Sequence, residues 1–476
     1  MPEQDEKPEI KEIKEKLVLK RDIVWDRLDS KEKEDVFLFS EGYKKFLDSA
    51  KTERQAVKEI VKFAEEKGFK SVGKPPGKAK KIYSVFQNKT VAMSILGKKP
   101  IEKGIRIIAS HIDSPRLDLK QNPLYEDVDL ALLKTHYYGG IKKYQWVSRP
   151  LSLHGKIIKK DGSEMDLSLG EKETEPIFTI VDLAPHLAHK AQYEKKLEDA
   201  VIGEKLNILA GSIPFPDKDT KDRIKLQVLK YLNDNFGLIE EDFISAELEL
   251  VPSEKARDIG WDRSLIGSYG QDDRSCAYTS MRAIGDINNP KETVLVLFLD
   301  KEEIGSEGNT GAKSRFLEAV VSDLLSSGGV KPDEGAIRKT LMNSRAISAD
   351  VNGALDPDYQ DVHEKRNAAK LGYGICITKF TGSRGKSGSS DASAEYVGWL
   401  RQAFNRNNII WQTGELGKVD EGGGGTIAKY LASYGMDIVD CGVALLGMHS
   451  PFEVSSKADI YMTYKGYRVF LSENRG

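Results

Sequence analysis

Apolar runs that stop abruptly at a histidine or a carboxylate recur along this chain. The longest example is TVLVLFLDKEEIGSEGNTG, Thr293 to Gly311. Its first part, Thr293 to Leu299, has the length and the β-branched, leucine-rich character of a strand buried on both faces. Asp300, Glu302 and Glu303 follow where such a strand would surface. Three further segments end the same way. GIRIIASHID delivers His111 and Asp113, RAISADVNG delivers Asp350, and DIVDCGVALLGMHSPFE delivers His449 ahead of a strand-stopping proline. A fifth, GSYGQDDRSCAY, carries Asp272 and Asp273 from a glycine-punctuated loop into a helix start. In open α/β sheets ligands bind beyond the carboxyl ends of the strands, so acids and histidines delivered there point to chemistry.

Between these strands the pattern changes to helical spacing. Ala56, Ile60, Val61 and Ala64 recur on one face of Ser49 to Gly68, and Gly68 ends the helix. IYSVF and VAMSI, joined by Gln87-Asn88-Lys89, read as two short strands. Helices are expected at Ser314 to Ser327, from Asp333, at Ala394 to Asn405 and at Ile427 to Tyr434. Two loops interrupt this half, KFTGSRGKSGSSDAS with Lys386 and DEGGGGT from Asp420 to Thr426. The stretch between about Gln121 and Asp258 has short alternating runs instead, with a hairpin signal at Asp161-Gly162, a helix at Asp219 to Asn235 and a returning strand at Phe243 to Val251. The expected fold is therefore α/β, a mixed sheet flanked by helices, with a β-rich second domain. Residues 1–118 and 259–476 would form the catalytic domain and 119–258 an insertion, placed to wall the cleft or mediate assembly. In the charged first 35 residues, Leu17, Leu19, Ile23, Val24 and Leu28 are candidate docking contacts.

Composition narrows the function classes. A chain of 476 residues with 39% hydrophobic and 31% charged residues and net charge -2 has room for two cores and no nucleic-acid footprint. No apolar stretch suits a membrane span, and the charged N-terminus lacks a signal-peptide core, so the expected location is the cytoplasm. Three scattered cysteines give neither a disulfide framework nor a thiolate metal site. Two histidines with three carboxylates suit a hard or borderline divalent ion, zinc first, with cobalt or manganese as alternatives. Charge balance favours two ions. His111 and Asp350 are assigned to one, Glu303 and His449 to the other, with Asp272 bridging. In an extended segment adjacent side chains point apart, so Glu302 is left free to act as general base, and Asp113 to orient His111. Asp273 and Asp300 read as loop or cap residues, and His136, His154 and His363 as surface or packing residues.

Taken in order, SHIDSPRLDLK, QDDRS, LDKEEIGSEGNTGA, SADV and GMHSPFE resemble the aspartyl aminopeptidase family of co-catalytic zinc metallopeptidases. The resemblance implies a zinc-peptidase-like core, an insertion used in oligomerisation, a homo-oligomer of dodecameric size, and removal of N-terminal Asp or Glu from peptides. By the family pattern His111, Asp272, Glu303, Asp350 and His449 match metal ligands, Glu302 the base and Asp113 the orienting residue. His186, in APHLAHK, matches a histidine that reaches a neighbouring subunit's active site, and Lys386 is the nearest match to a lysine that pairs with the acidic substrate side chain. The competing readings are a carboxypeptidase or deacylase on the same core, and a non-catalytic assembly or cargo protein that retains the fold.

Overall fold

The structure, a computed structural model, describes residues 8–72 and 79–473. A nine-stranded mixed sheet organises it, in the order Lys70–Ser71, Lys81–Phe86, Thr90–Ile95, Thr293–Leu299, Ile105–His111, Arg345–Ser348, Asp437–Gly442, Ile375–Thr378, Trp411–Thr413. The four strands from Thr293–Leu299 to Asp437–Gly442 run parallel. Side-chain alternation explains why the central strand is apolar throughout: Val294, Val296 and Phe298 enter the core on one face, Leu295, Leu297 and Leu299 that on the other. Helices Ser30–Ser49, Glu53–Glu66, Gln271–Gly285, Ala394–Arg406 and Lys457–Ser472 cover the first face; Phe316–Ser327, Glu334–Met342 and Ala428–Ala432 cover the second. Register then sets the site, because Leu299 lies opposite His111 and Ser348 opposite Ala109, so three chain segments leave the sheet at one level.

A second, antiparallel sheet of six strands has its own hydrophobic cluster, with helix Arg223–Phe236 packed on it. Its strands lie between Arg116 and Pro252, so the chain leaves the large sheet after Ile105–His111 and returns to the neighbouring strand Thr293–Leu299. A third sheet, Arg257–Ile259, Leu265–Ser268, Glu453–Ser456, Ala444–Leu446 and Asn352–Gly353, ties together the segments flanking Asp272, His449 and Asp350.

Local departures from the sequence reading have physical causes. The run from Asp437 to Leu446 splits into Asp437–Gly442 and Ala444–Leu446, because the chain passes from the large sheet to the small one. Only glycine fits at that crossing: a Cβ on Gly442 would sit 2.1 Å from the Asp350 carbonyl oxygen. The returning strand begins at Glu247, since Glu240–Phe243 forms a 3-10 turn in which Asp242 accepts the Ile239 N–H. The helix expected from Asp219 starts at Arg223. In the N-terminal segment Val24 and Leu28 are buried, whereas Leu17, Leu19 and Ile23 stay exposed.

Lys51 and Glu171 join the core to the second sheet at 3.0 Å, and His154 Nε2 lies 3.0 Å from the same carboxylate. Burial acts to raise the Glu171 carboxyl, but the His154 hydrogen bond and the Lys51 charge outweigh it and bring it down to about 2. A depressed folded-state pKa stabilises above the unfolded value and is lost as pH falls through 4.5 towards 2. Glu171→Gln is therefore expected to cost roughly 2–3 kcal/mol at pH 7 and about 1 kcal/mol at pH 3, as read by urea denaturation at both pH values.

Candidate metal centre

The carboxyl ends of the central strands bring together side chains that the sequence spreads over more than three hundred positions. Asp272 is central. One of its oxygens lies 3.2 Å from His111 Nε2 and the other 3.2 Å from His449 Nε2. Asp350 Oδ1 lies 4.0 Å from His111 Nε2, and Glu303 Oε2 lies 3.5 Å from His449 Nε2. Three overlapping groups, His111 with Asp272 and Asp350, His111 with Glu302 and Glu303, and Asp272 with Glu303 and His449, each hold their donor atoms within 4.8 Å of one another.

Backbone hydrogen bonds fix these side chains. Glu453 Oε2 accepts the N–H groups of Gln271 (2.6 Å) and Asp272 (3.1 Å), while its Oε1 accepts that of His449 (2.8 Å), so one carboxylate holds two segments in register. Ser114 Oγ donates to the Asp272 carbonyl at 2.7 Å, and Asp273, fully buried, accepts the His111 N–H at 3.2 Å. Asp113 places an oxygen 3.3 Å from His111 Nδ1, and its two oxygens accept the N–H groups of Glu302 (3.1 Å) and Glu303 (3.2 Å).

The pair Glu302 and Glu303 differs from expectation. It lies on a 3-10 turn, Glu302–Ile304, entered through Lys301 at φ 66°, not on an extended segment. The separation of the two carboxylates thus comes from turn geometry and Asp113 rather than strand alternation. Asp113 likewise falls beyond the end of strand Ile105–His111.

Burial dominates the electrostatics. Desolvation, followed by the Asp272 charge, pushes Glu303 well above the usual carboxylate range, and desolvation pushes Asp350 the same way. Glu302 rises to about 7, through burial and then the Asp113 and Asp272 charges against the opposing histidines. Asp272 goes the other way: burial is outweighed by its hydrogen bonds to His111 and His449. Despite burial, the Asp113 and then the Asp272 contacts raise His111, and the Asp272 hydrogen bond with the Glu303 charge brings His449 up to about 10. So many acids can share one buried space only with protons or cations among them. The residues fit divalent metal: the donors are nitrogen and oxygen without thiolate, and the buried Glu303 Oε1 has no hydrogen-bond partner.

A cavity of about 300 Å³ opens onto this cluster, lined by His111, Asp272, Glu302, Asp350 and His449 and walled by the glycine loop at Gly422 to Gly425. Lys386 lines the same cavity, with Nζ 2.9 Å from Asp391 and 3.8 Å above the Phe380 ring. His186 does not line it; it sits exposed on the turn Pro185–Leu187 of the second-sheet segment. Glu453 was not singled out by sequence reasoning. It follows His449 in GMHSPFE, but nothing in the apolar periodicity marks a carboxylate that works through backbone N–H groups.

Among the described residues no helix is long and apolar enough to cross a membrane. A family model described as "Aminopeptidase I zinc metalloprotease (M18)" matches residues 46–471. A probable M18 family aminopeptidase 1 of Clostridium acetobutylicum is 51% identical over 454 residues, 94% of this chain and 97% of that protein. The crystal structure of an M18 family aminopeptidase from Thermotoga maritima matches with TM-score 0.92 and 46% identity, covering 96% of this chain and all 100% of that one. At 22% identity and TM-score 0.72 the fold is shared with the S. cerevisiae mApe1 dodecamer, over 90% of this chain and 95% of that one.

Proposed function

Since the chain belongs to the M18 family of zinc metalloprotease aminopeptidases and is a hydrolase, we propose that it removes N-terminal residues from peptides at a two-zinc centre. His111 and Asp350 would hold one ion, Glu303 and His449 the other, with Asp272 between them. The observation that carries this reading is the placement of each Asp272 oxygen 3.2 Å from a different histidine. Bound zinc supplies Lewis acidity towards the scissile carbonyl and the attacking water. Glu302, which lines the cavity and is raised to about 7, takes the proton of that water and returns it to the leaving amine. Asp113, beside Nδ1, holds His111 with Nε2 turned towards the cluster.

Specificity follows from the cavity wall. Lys386, Arg384 and Lys418 line it, which supports a preference for N-terminal Asp or Glu, the substrate carboxylate exchanging with Asp391 for the lysine. Lys386→Met is expected to lower kcat/KM about tenfold on aspartyl and glutamyl anilides and to leave leucyl anilide nearly unchanged, the scale of one charge-assisted hydrogen bond. We read residues 119–258 as an insertion whose exposed apolar residues Val181, Leu183 and Leu187, beside His186, pack against another copy in a dodecamer and bring His186 to that copy's site. The test of the function is a panel of free and N-blocked aminoacyl substrates at fixed zinc. Cleavage of blocked substrates would mean a carboxypeptidase or deacylase; zinc binding with no cleavage would mean a non-catalytic assembly protein.

A further inference from the structure

We propose that Tyr138-Gly139-Gly140, where strand Leu130–Tyr138 of the second sheet ends, is a structural part of the metal centre, with Tyr138 as a positioning residue acting through Asp113. The inference rests on the metal-centre reading above and extends it to a segment outside the zinc-binding motifs.

Each of the three residues touches the site. Tyr138 Oη donates to Asp113 Oδ2 at 2.8 Å. Gly139, at φ 73°, packs so closely that a Cβ there would lie 3.2 Å from Glu303 Cβ and 3.3 Å from Glu303 Oε2. The Gly140 carbonyl lies 2.9 Å from His449 Nδ1 and accepts its N–H, which leaves Nε2 free to face Asp272. A side chain at Gly140 would press on that ring, with Cβ 3.3 Å from Nδ1.

Asp113 shows why the tyrosine matters. Oδ1 faces His111 Nδ1 and accepts the Glu302 N–H, and Oδ2 accepts the Glu303 N–H and the Tyr138 hydroxyl. The Glu302 and Glu303 donors belong to the segment that carries those residues themselves, and the His111 Nδ1 hydrogen bond goes to the Asp113 carbonyl at 3.1 Å. Tyr138 alone comes from the second sheet and holds the carboxylate from outside. The tyrosine is held in turn: the Arg116 guanidinium lies 3.9 Å from its ring centroid, and Arg116 pairs with Asp118 (2.8 Å), Glu249 (3.4 Å) and Glu53 (3.6 Å). Burial and the Asp113 charge keep the hydroxyl protonated, so it stays a donor at any working pH.

Tyr138→Phe tests this with the least disturbance, because it keeps the ring under Arg116 and removes only the hydroxyl. Zinc affinity, measured by competition with a chromophoric chelator, is expected to weaken at least tenfold, with kcat reduced, KM little changed and the absorption bands of the cobalt-substituted protein shifted. Gly140→Ala, which disturbs His449 without touching Tyr138, is expected to weaken zinc binding as well. Wild-type zinc affinity and an unshifted cobalt spectrum in both variants would overturn the proposal, since packing alone would then account for the contacts. The same titration on unmodified protein separates the two claims. If that protein binds no zinc, the metal-centre reading fails; if it binds zinc and the variants bind equally well, only the role of Tyr138 and Gly140 fails.

Discussion

Glu302→Gln is expected to lower kcat by about 10³-fold or more while leaving zinc content and KM close to those of the unmodified protein, at the upper part of the range for loss of a general base. The glutamine is isosteric, keeps the 3-10 turn and leaves the backbone N–H bond to Asp113 in place, so positioning survives and only proton transfer is lost. The pH dependence follows from the same residue. Burial, with Asp113 and Asp272, raises the Glu302 carboxyl to about 7 against the pull of His111 and His449. The base must be ionised to accept a proton, so kcat/KM falls as pH drops through its pKa. Bound divalent charge favours the ionised form and moves that limb below about 7. Steady-state kinetics with elemental analysis of the same samples checks both halves; a variant with full activity removes Glu302 from the base role.

Asp272→Asn is expected to abolish activity by a different route, through loss of metal. Its two oxygens face two histidines, and an amide offers one oxygen and one donor in their place. The NH2 group would confront a histidine nitrogen that, in the proposed centre, presents a lone pair to metal. Zinc content should fall from two ions per chain to one or none, with activity down by at least about 10³-fold. Excess zinc restores chelator-treated wild-type protein and does not restore the variant. Retention of two ions by Asp272→Asn would show that this carboxylate does not bridge.

The parts of this molecule that were legible in the sequence are those where one physical rule decides. Strand Thr293–Leu299 was readable to the residue because burial on both faces demands an unbroken apolar run, and the hairpin turn at Gln87 and Asn88 because both adopt positive φ. The convergence of His111, Asp272, Glu303, Asp350 and His449 was legible in outline, since each stands where an apolar run or a glycine loop ends. The shape of the turn at Glu302 was not, because it depends on Asp113 accepting two N–H groups from a segment 189 and 190 positions away. Glu453 and Tyr138 were illegible for the same reason: their work is done on backbone or through a second carboxylate, across 182 positions from Gln271 in one case and 25 from Asp113 in the other. His186 marks the limit of reading one chain: it stands exposed on its turn, away from the cavity.

The most direct test is anomalous diffraction at the zinc absorption edge from crystals of the zinc-loaded protein. Two peaks about 3.5–4 Å apart are expected, with Asp272 between them, His111 and Asp350 on one, Glu303 and His449 on the other, and Glu302 on neither. A single peak, or Glu302 bound directly to zinc, would contradict the two-metal centre and its base.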